Sequence, residues 1–250
     1  MTDFSFQLYS ARNFPLGEAL ALLSRLGYAQ VEGYGGLYGD AARLRALLDR
    51  HGLTMPTGHF SIELLEDSDR ALKLAEILGV STLFCPAVPR ELWDQPEDGW
   101  KRLAERLARL GETYAGAGYG LGWHNHHFEF RPTASGALPM DLILSGAPEI
   151  GWEMDVAWAV RGGQDPLGWI DRYADRITAV HVKDIAPEGE AEDEDGWADV
   201  GHGVLDWTGI MAALREKTRA DVFVMEHDNP SDLDRFASRS IAAARALGVA

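Results

Sequence analysis

Imidazole and carboxylate side chains are concentrated in four short segments in the second half of the chain. The segments are WHNHHFEF at 123–130, GWEMDVAW at 151–158, AVHVKD at 179–184 and FVMEHDNP at 223–230. Nitrogen and oxygen donors in combination are the ligands that Mn²⁺, Zn²⁺, Co²⁺ and Fe²⁺ accept more readily than Ca²⁺ or Mg²⁺ do. The sequence therefore predicts one divalent metal ion, Mn²⁺ or Zn²⁺ before Co²⁺ or Fe²⁺.

The alternation of side chains along a strand selects one inward-pointing group from each segment. Successive side chains of a strand point to opposite faces, so His124 and His126 share a face, as do His181 and Lys183. One group per segment gives His124, Asp155, His181 and Glu226 as the predicted metal ligands. Each of these residues alone has an ordinary structural explanation, but burying all of them together without a cation would be costly.

The elements that must position these groups form a repeating pattern from end to end. Apolar extended runs alternate with amphipathic stretches, such as Leu16–Leu26 with its leucines three or four residues apart. Strands are predicted at Phe4–Leu8, Ala29–Glu32, Thr54–Gly58, Thr82–Cys85, Gly120–His124, Ile150–Asp155, Ala179–Lys183 and Val222–Glu226. Helices are predicted at Leu16–Leu26, Ala42–Arg50, Asp69–Leu78, Trp100–Tyr114, Met140–Leu144, Leu167–Arg172, Trp207–Leu214 and Leu233–Leu247. Predicted helix ends are C-terminal caps at Gly27, Gly52, Gly79 and Gly118 and N-caps at Asp206 and Ser231.

Eight strand–helix units predict an α/β fold, a (β/α)8 TIM barrel that forms a single domain over residues 1–250. A doubly wound open sheet is the alternative, but GYGGLYG at 33–39 misses the G-x-G-x-x-G fingerprint by one position. Active sites of such barrels lie at the C-terminal ends of the strands, which is where the four segments end.

Composition narrows the class of function. Acidic residues outnumber basic ones by 39 to 23, for a formal charge of −16, which disfavours nucleic-acid binding and suits a neutral sugar. One cysteine, no leader-like N-terminus and no long apolar run predict a soluble cytoplasmic protein that does not enter membranes. The acidic segment PEGEAEDEDGWAD at 187–199 is expected to be a solvated loop over the barrel mouth, with a lid as the alternative.

The chain resembles the sugar phosphate isomerase/epimerase superfamily, the xylose-isomerase-like TIM barrels, over nearly its whole length. The resemblance is carried by HVKD at 181–184, the strand of Asp155, GHGVLDW at 201–207 and MEHD at 225–228, and HNHxFEF at 124–130 is similar to one subgroup. It implies metal ligation by glutamate, aspartate, histidine and glutamate from successive strand ends. Asp155, His181 and Glu226 match that pattern, whereas His124 stands where most members have glutamate. Glu129 is the candidate for the missing carboxylate, as ligand or as base.

The resemblance implies a sugar isomerase or epimerase that works through an enediolate. Glu226 or Glu129 would remove the carbon-bound proton, and His126 or Lys183 would return one. Predicted substrate contacts come from His59, Trp123, Trp158 and His202, the last at a position where glutamate is common. The alternatives are a lyase or hydrolase with the same site (3-keto-glycoside cleavage or dehydration), a metal-dependent endonuclease that the acidic charge disfavours, and a catalytically silent sugar-binding barrel. A homodimer is the alternative to a monomer.

Overall fold

The computed structural model describes residues 4–248, and ten strands run through them. They are β1 (Phe4–Phe6), β2 (Gln30–Tyr34), β3 (Thr54–His59), β4 (Thr82–Cys85), β5 (Gly120–His124), β6 (Gly151–Asp155), β7 (Ile177–Val182), β8 (Asp184–Ile185), β9 (Trp197–Ala198) and β10 (Val222–Met225). Eight of them form one parallel sheet in the order β1-β10-β7-β6-β5-β4-β3-β2. A parallel bridge between Gln7 and Glu32 brings the two edges of that sheet together. The predicted TIM barrel is thereby confirmed.

Helices surround the barrel, and most of them follow a strand as expected. They are α1 (Leu16–Leu26), α2 (Ala41–His51), α3 (Ile62–Glu66), α4 (Ser68–Leu78), α5 (Glu97–Gly116), α6 (Pro139–Gly146), α7 (Val156–Arg161), α8 (Pro166–Tyr173), α9 (Trp207–Lys217) and α10 (Leu233–Ala246). The short helices α3 and α7 were not predicted, because a helix of five or six residues carries too little periodicity to recognise. No helix in residues 4–248 is both long and apolar enough to span a bilayer.

The predicted helix ends agree with the structure in most cases. Gly27, Gly52 and Gly79 adopt the left-handed conformation at the C-caps of α1, α2 and α4. Gly118 is also left-handed, but it follows the end of α5 by two residues. The Asp206 carboxylate caps α9 by accepting from the Gly209 N–H. The Ser231 cap prediction is wrong, since the neighbouring Asp232 caps α10.

Strand register fixes which strand-end groups are neighbours. His124 on β5 pairs laterally with Glu153 on β6, and Asp155 on β6 pairs with His181 on β7. Lateral neighbours in a parallel sheet point to the same face, so both pairs project into the barrel. The C-terminal end of the barrel is therefore lined with buried polar groups, whereas the rest of the core is apolar.

The acidic segment 187–199 is exposed to solvent over much of its length, as expected, but Glu194, Trp197 and Asp199 within it are buried. It follows β8 and contains β9, and those two short strands form an antiparallel hairpin. Glu194 is buried, and its carboxylate accepts from the Ser231 N–H at 2.9 Å and pairs with the Arg235 guanidinium at 2.7 Å. These contacts attach the hairpin loop to the start of α10. The loop thereby forms a fixed wall beside the barrel mouth.

Candidate active site

A cavity of about 520 Å³ opens at the C-terminal end of the barrel. Its walls come from the ends of several strands and from the loops that follow them, as expected for this fold. The lining residues are Tyr9, Arg12, Tyr34, Gly35, His59, Ser61, Pro86, Ala87, His124, His126, Trp158, Asp195, Glu226 and Asp228. Aromatic rings and ionisable groups therefore face one another across a space large enough for a small molecule.

Three of the predicted ligands converge at the floor of this cavity. The Nδ1 atom of His181 lies 2.9 Å from Glu226 Oε2 and 4.0 Å from Asp155 Oδ2. One donor atom from each of these residues falls within 4.8 Å of the others. Asp155 ends β6, and its other carboxylate oxygen caps α7 by accepting from the Trp158 N–H at 2.7 Å. The cap leaves Oδ2, which has no hydrogen-bond partner within residues 4–248, directed at the histidine.

Lys183 forms ion pairs with Glu226, a member of this trio, and with Asp228 next to it. Its buried Nζ lies 2.6 Å from Asp228 Oδ2 and 3.3 Å from Glu226 Oε2. The Trp197 ring packs over the ammonium at 4.0 Å from the ring centroid, which is a cation–π contact. Burial raises the pKa of Glu226, but Lys183 and His181 outweigh burial and hold that pKa well below its usual range. Glu226 therefore stays ionised at the edge of the cavity.

His124 belongs to a different group from the one predicted for it. Its Nδ1 lies 3.1 Å from Glu153 Oε2, and it is grouped with His59, Glu153 and His181 rather than with Asp155 and Glu226. His59 Nε2 approaches the same Glu153 oxygen at 2.7 Å. The inward direction predicted for His124 agrees with the structure, whereas its grouping with Asp155 and Glu226 does not, because strand register places Glu153 beside it.

Glu129, which the sequence analysis named as a candidate metal ligand or base, does not reach either group of donor atoms. Its Oε1 accepts from the Trp123 indole N–H at 3.1 Å and its Oε2 from the His126 backbone N–H at 2.9 Å. The side chain is fully buried and does not line the cavity. Burial raises the pKa of Glu129 to about 8, so the group is neutral near pH 7. A carboxyl held in this way is a structural anchor for the loop that carries His126.

The remaining predicted residues divide between the cavity and its surroundings. His59, His126 and Trp158 line the cavity, as a substrate-contact or acid–base role requires. Burial lowers the pKa of His126 to about 3, with a smaller contribution from Lys183, so its imidazole is neutral. Trp123 is fully buried, and stacking on a sugar is excluded for it. His202 is exposed beside α10 in another groove, so the substrate contact predicted for it is not supported.

Several residues of the site were missed by the sequence reasoning. Glu32, in the middle of β2, is buried, and its Oε1 accepts from Gln7 Nε2 at 2.8 Å and lies 2.7 Å from His181 Nε2. Glu153, two residues before Asp155 on β6, was not among the predicted site residues. The sequence offered one signal for Glu32, which is the carboxylate that ends the second predicted strand. Tyr9 and Arg12 follow β1 and Tyr34 ends β2, and no periodicity marks these positions in the sequence.

The trio at the cavity floor fits a divalent cation. Two carboxylates and one imidazole, buried and with Asp155 Oδ2 lacking a partner, supply the donor types and the negative charge that such an ion needs. Lys183 offsets one of those charges but leaves the Asp155 oxygen unsatisfied at 3.9 Å. A site with three protein ligands retains open positions for water or substrate. His181 also has the second hydrogen bond typical of metal-binding histidines, through Nε2 to Glu32.

The fold and the site define an α/β barrel with a candidate metal centre at the C-terminal ends of its strands, and comparison with known proteins identifies the family. Residues 20–247 match the model of the xylose isomerase-like TIM barrel family. The chain belongs to that family.

The similar proteins are distant relatives. An inosose dehydratase of Lacticaseibacillus casei is 27% identical over 132 residues, 48% of this chain and 44% of the relative. The rhizopine catabolism protein MocC of Rhizobium meliloti is 28% identical over 192 residues, 68% of this chain and 58% of the relative. The chain thus spans about half the length of the curated relatives it matches. A solved sugar phosphate isomerase/epimerase from Parabacteroides distasonis has a TM-score of 0.82 at 23% identity, covering 99% of this chain and 95% of that one.

Proposed function

We propose that the protein is a metal-dependent enzyme that removes the proton beside the carbonyl group of a small keto-sugar or keto-polyol. The observation that carries this proposal is the convergence of Asp155, His181 and Glu226 at the floor of the cavity, with Glu226 itself lining it. A divalent cation bound there supplies Lewis acidity, which polarises a carbonyl group and makes the adjacent C–H bond acidic.

The proton transfers are assigned to side chains that line the cavity. Glu226 is ionised and faces the cavity, so it is the candidate to accept the proton from carbon. His126 is a neutral imidazole on the cavity wall that can exchange a hydrogen bond or a proton with a substrate hydroxyl. Lys183 does not line the cavity, so we assign it a positioning role that keeps Glu226 ionised and holds Asp228 in place, instead of proton return.

The charges around the cavity favour an uncharged substrate over a phosphorylated one. Asp195, Glu226 and Asp228 contribute carboxylates to its lining, and Arg12 contributes the cation. The Arg12 guanidinium donates to the backbone carbonyls of Tyr9 and Asp228, which occupies part of its donor capacity. Apart from the metal ion, a phosphate dianion would meet three carboxylates and one guanidinium here. Trp158 offers an aromatic face of the kind that packs on a sugar ring.

Two reaction outcomes share this first step. The sequence favours isomerisation or epimerisation, in which the proton returns to carbon. The relatives named inosose dehydratase favour elimination, in which the β-hydroxyl group takes up the proton that Glu226 removed from carbon and leaves as water. We place dehydration first because it is the chemistry named for those relatives, and keep isomerisation or epimerisation as the second candidate.

The experiment that tests the proposal separates the proton abstraction from its outcome. Metal-free protein would be reconstituted with Mn²⁺ or Zn²⁺ and incubated in D₂O with an inosose and with a panel of ketoses and 3-keto-glycosides. NMR would detect deuterium at the carbon beside the carbonyl, a new stereoisomer or a dehydrated product. The Asp155→Asn and Glu226→Gln variants should lose all three signals, and His202→Ala, outside the cavity, should retain them. Exchange that survives chelation and both substitutions refutes the proposal.

A further inference from the structure

The loop of the β8–β9 hairpin contributes one carboxylate to the cavity. Asp195 lies at the tip of this loop, is exposed and lines the cavity. Within residues 4–248 its backbone carbonyl accepts from Arg161 Nη2 at 2.8 Å, whereas its carboxylate has no hydrogen-bond or ion-pair partner. The preceding Glu194 is buried, and its carboxylate contacts Ser231 and Arg235. The hairpin is therefore attached to α10 through Glu194, and the Asp195 carboxylate remains free to contact a molecule in the cavity.

Two further contacts fix the position of the loop. The Arg161 guanidinium at the end of α7 holds the Asp195 carbonyl. Asn229 Nδ2, in the segment after β10, donates to the Asp193 carbonyl at 3.2 Å. These contacts join the loop to the segments that follow β6 and β10, and those strands carry two members of the metal-ligand trio. The position of Asp195 relative to the trio is therefore set by the barrel itself.

Asp195 has a backbone conformation that favours glycine. Its φ of 59° lies in the left-handed region, and Ala191 in the same loop is the other non-glycine residue with positive φ in the part of the chain that the structure describes. A Cβ makes this conformation unfavourable, although aspartate tolerates it better than most residues do. Glycine would adopt it with less strain, so an aspartate here indicates that the side chain has a role beyond the folding of the loop.

A carboxylate at the cavity wall is suited to recognise hydroxyl groups. It is an acceptor only, and its two oxygens can accept from neighbouring hydroxyl groups of one molecule. Hydrogen bonds to an ionised acceptor are also stronger than those between neutral groups. Glu226 and Asp195 line the same cavity from different elements, so a molecule that fills it contacts both. A phosphate group near Asp195 would instead meet like charge.

We propose that Asp195 is a specificity-determining residue, which accepts hydrogen bonds from the substrate hydroxyl groups that lie away from the carbonyl group. It thereby selects keto-polyols and sugars with free hydroxyl groups over analogues that are deoxygenated or phosphorylated at that end. A site built to bond a hydroxyl group rejects an analogue that lacks it, because the polar group of the protein is then left unpaired. The role of Asp195 rests on the proposed function, and it adds which end of the substrate the hairpin recognises.

Equilibrium binding of polyols tests this role without turnover. The probes are myo-inositol and D-sorbitol, which carry hydroxyl groups but have no carbonyl group to react. Saturation-transfer NMR titrations of the Zn²⁺-loaded protein would give the Kd of each. The tighter-binding polyol should bind Asp195→Asn about tenfold more weakly than the wild type, as expected for the loss of one charge-assisted hydrogen bond. Asp193→Asn, an exposed carboxylate of the same loop outside the cavity, is the matched control and should bind like the wild type.

A glycine variant separates recognition from loop structure. Asp195→Gly relieves the left-handed strain, so its melting temperature by circular dichroism should be no lower than that of the wild type, while its polyol affinity falls as in Asp195→Asn. In the deuterium-exchange assay, both variants should raise KM about tenfold and keep kcat within about threefold of the wild type. A lower melting temperature in Asp195→Gly together with weaker binding overturns the inference, because disruption of the loop then explains the loss.

The remaining outcomes distinguish this inference from the proposed function. Polyol binding and KM that do not change in Asp195→Asn overturn the role of Asp195, and the proposed function stands if Glu226→Gln still abolishes exchange. Weaker polyol binding in Asp195→Asn supports the role of Asp195 even if no compound exchanges deuterium, a result that would refute the proposed function alone. Failure of both polyols to bind the wild type also overturns the role of Asp195.

Discussion

Replacing Glu129 with glutamine separates its structural role from the ligand role that the sequence allowed. The carboxyl group is fully buried, and both of its oxygens accept hydrogen bonds, from Trp123 and from the His126 backbone. Neither contact belongs to the metal-ligand groups. We expect Glu129→Gln to keep its metal content and to change how the free energy of unfolding depends on pH.

The magnitude follows from the raised pKa. Burial raises the pKa of Glu129 to about 8 in the folded protein, and an unfolded glutamate titrates at about 4.3. Between these values the folded state holds the proton and the unfolded state does not. The stabilisation that this proton gives is therefore complete below about pH 4.3 and is lost as the pH rises towards 8. At about 1.4 kcal/mol per pH unit, the wild type loses about 3 kcal/mol of stability between pH 5 and pH 7 that the variant does not lose.

Urea unfolding at pH 5, 6 and 7 measures this difference. Both proteins would be studied with a chelator present, so that metal binding does not contribute. From pH 5 to pH 7 the free energy of unfolding of the wild type should fall by about 3 kcal/mol more than that of Glu129→Gln. Glu105→Gln, an exposed carboxylate on α5, should show no such shift. If the difference in the free energy of unfolding between the two proteins does not depend on pH, Glu129 is not a neutral buried acid. If Glu129→Gln loses its metal, Glu129 is again a candidate ligand.

Three further predictions concern the cavity and its supports. Trp158→Leu removes the half-buried ring from the cavity wall and should raise KM for a sugar by about fivefold, from about 1 kcal/mol of lost aromatic packing, in steady-state assays. Gly122→Ala should destabilise the barrel by about 1–3 kcal/mol in urea unfolding, because the added Cβ would approach the Phe84 ring. Arg235→Gln removes the ion pair with Glu194 and should make segment 187–199 sensitive to cleavage in limited proteolysis, at protease concentrations that leave the wild type intact.

The alternation of strand and helix was sufficient to predict the fold and the directions of most site residues. His124, Asp155, His181 and Glu226 all lie at strand ends and point inward, because parallel strands of a barrel end at one face and side chains alternate. The grouping of His124 with its neighbours was not predictable. It depends on the register between β5 and β6, which places Glu153 beside it, and register is a property of paired strands rather than of one sequence segment.

Residues from the first half of the barrel were missed for a related reason. Glu32 closes the barrel through the bridge to Gln7 and meets His181 across the axis, at a sequence separation that no local pattern reports. Tyr9, Arg12 and Tyr34 lie in loops or at a strand end, where the chain has no periodicity to interpret. The position of Glu129 was decided by the short turn after β5, which folds back so that its carboxyl meets the His126 N–H.

The HVKD segment at 181–184 contributes side chains both to the candidate site and to the loop that packs beside it. His181 and Lys183 lie on the same side, where both contact the Glu226 carboxylate, while Asp184 points away from it. The Asp184 carboxylate accepts from the N–H groups of Gly201, Gly203 and Leu205 at 3.0 to 3.2 Å. A Cβ on Gly203 would lie 2.2 Å from that carboxylate, so glycine is required where the loop passes over it. GHGVLD is therefore the structural partner of Asp184, and this pairing explains why His202 lies outside the cavity although its motif accompanies the site residues in sequence.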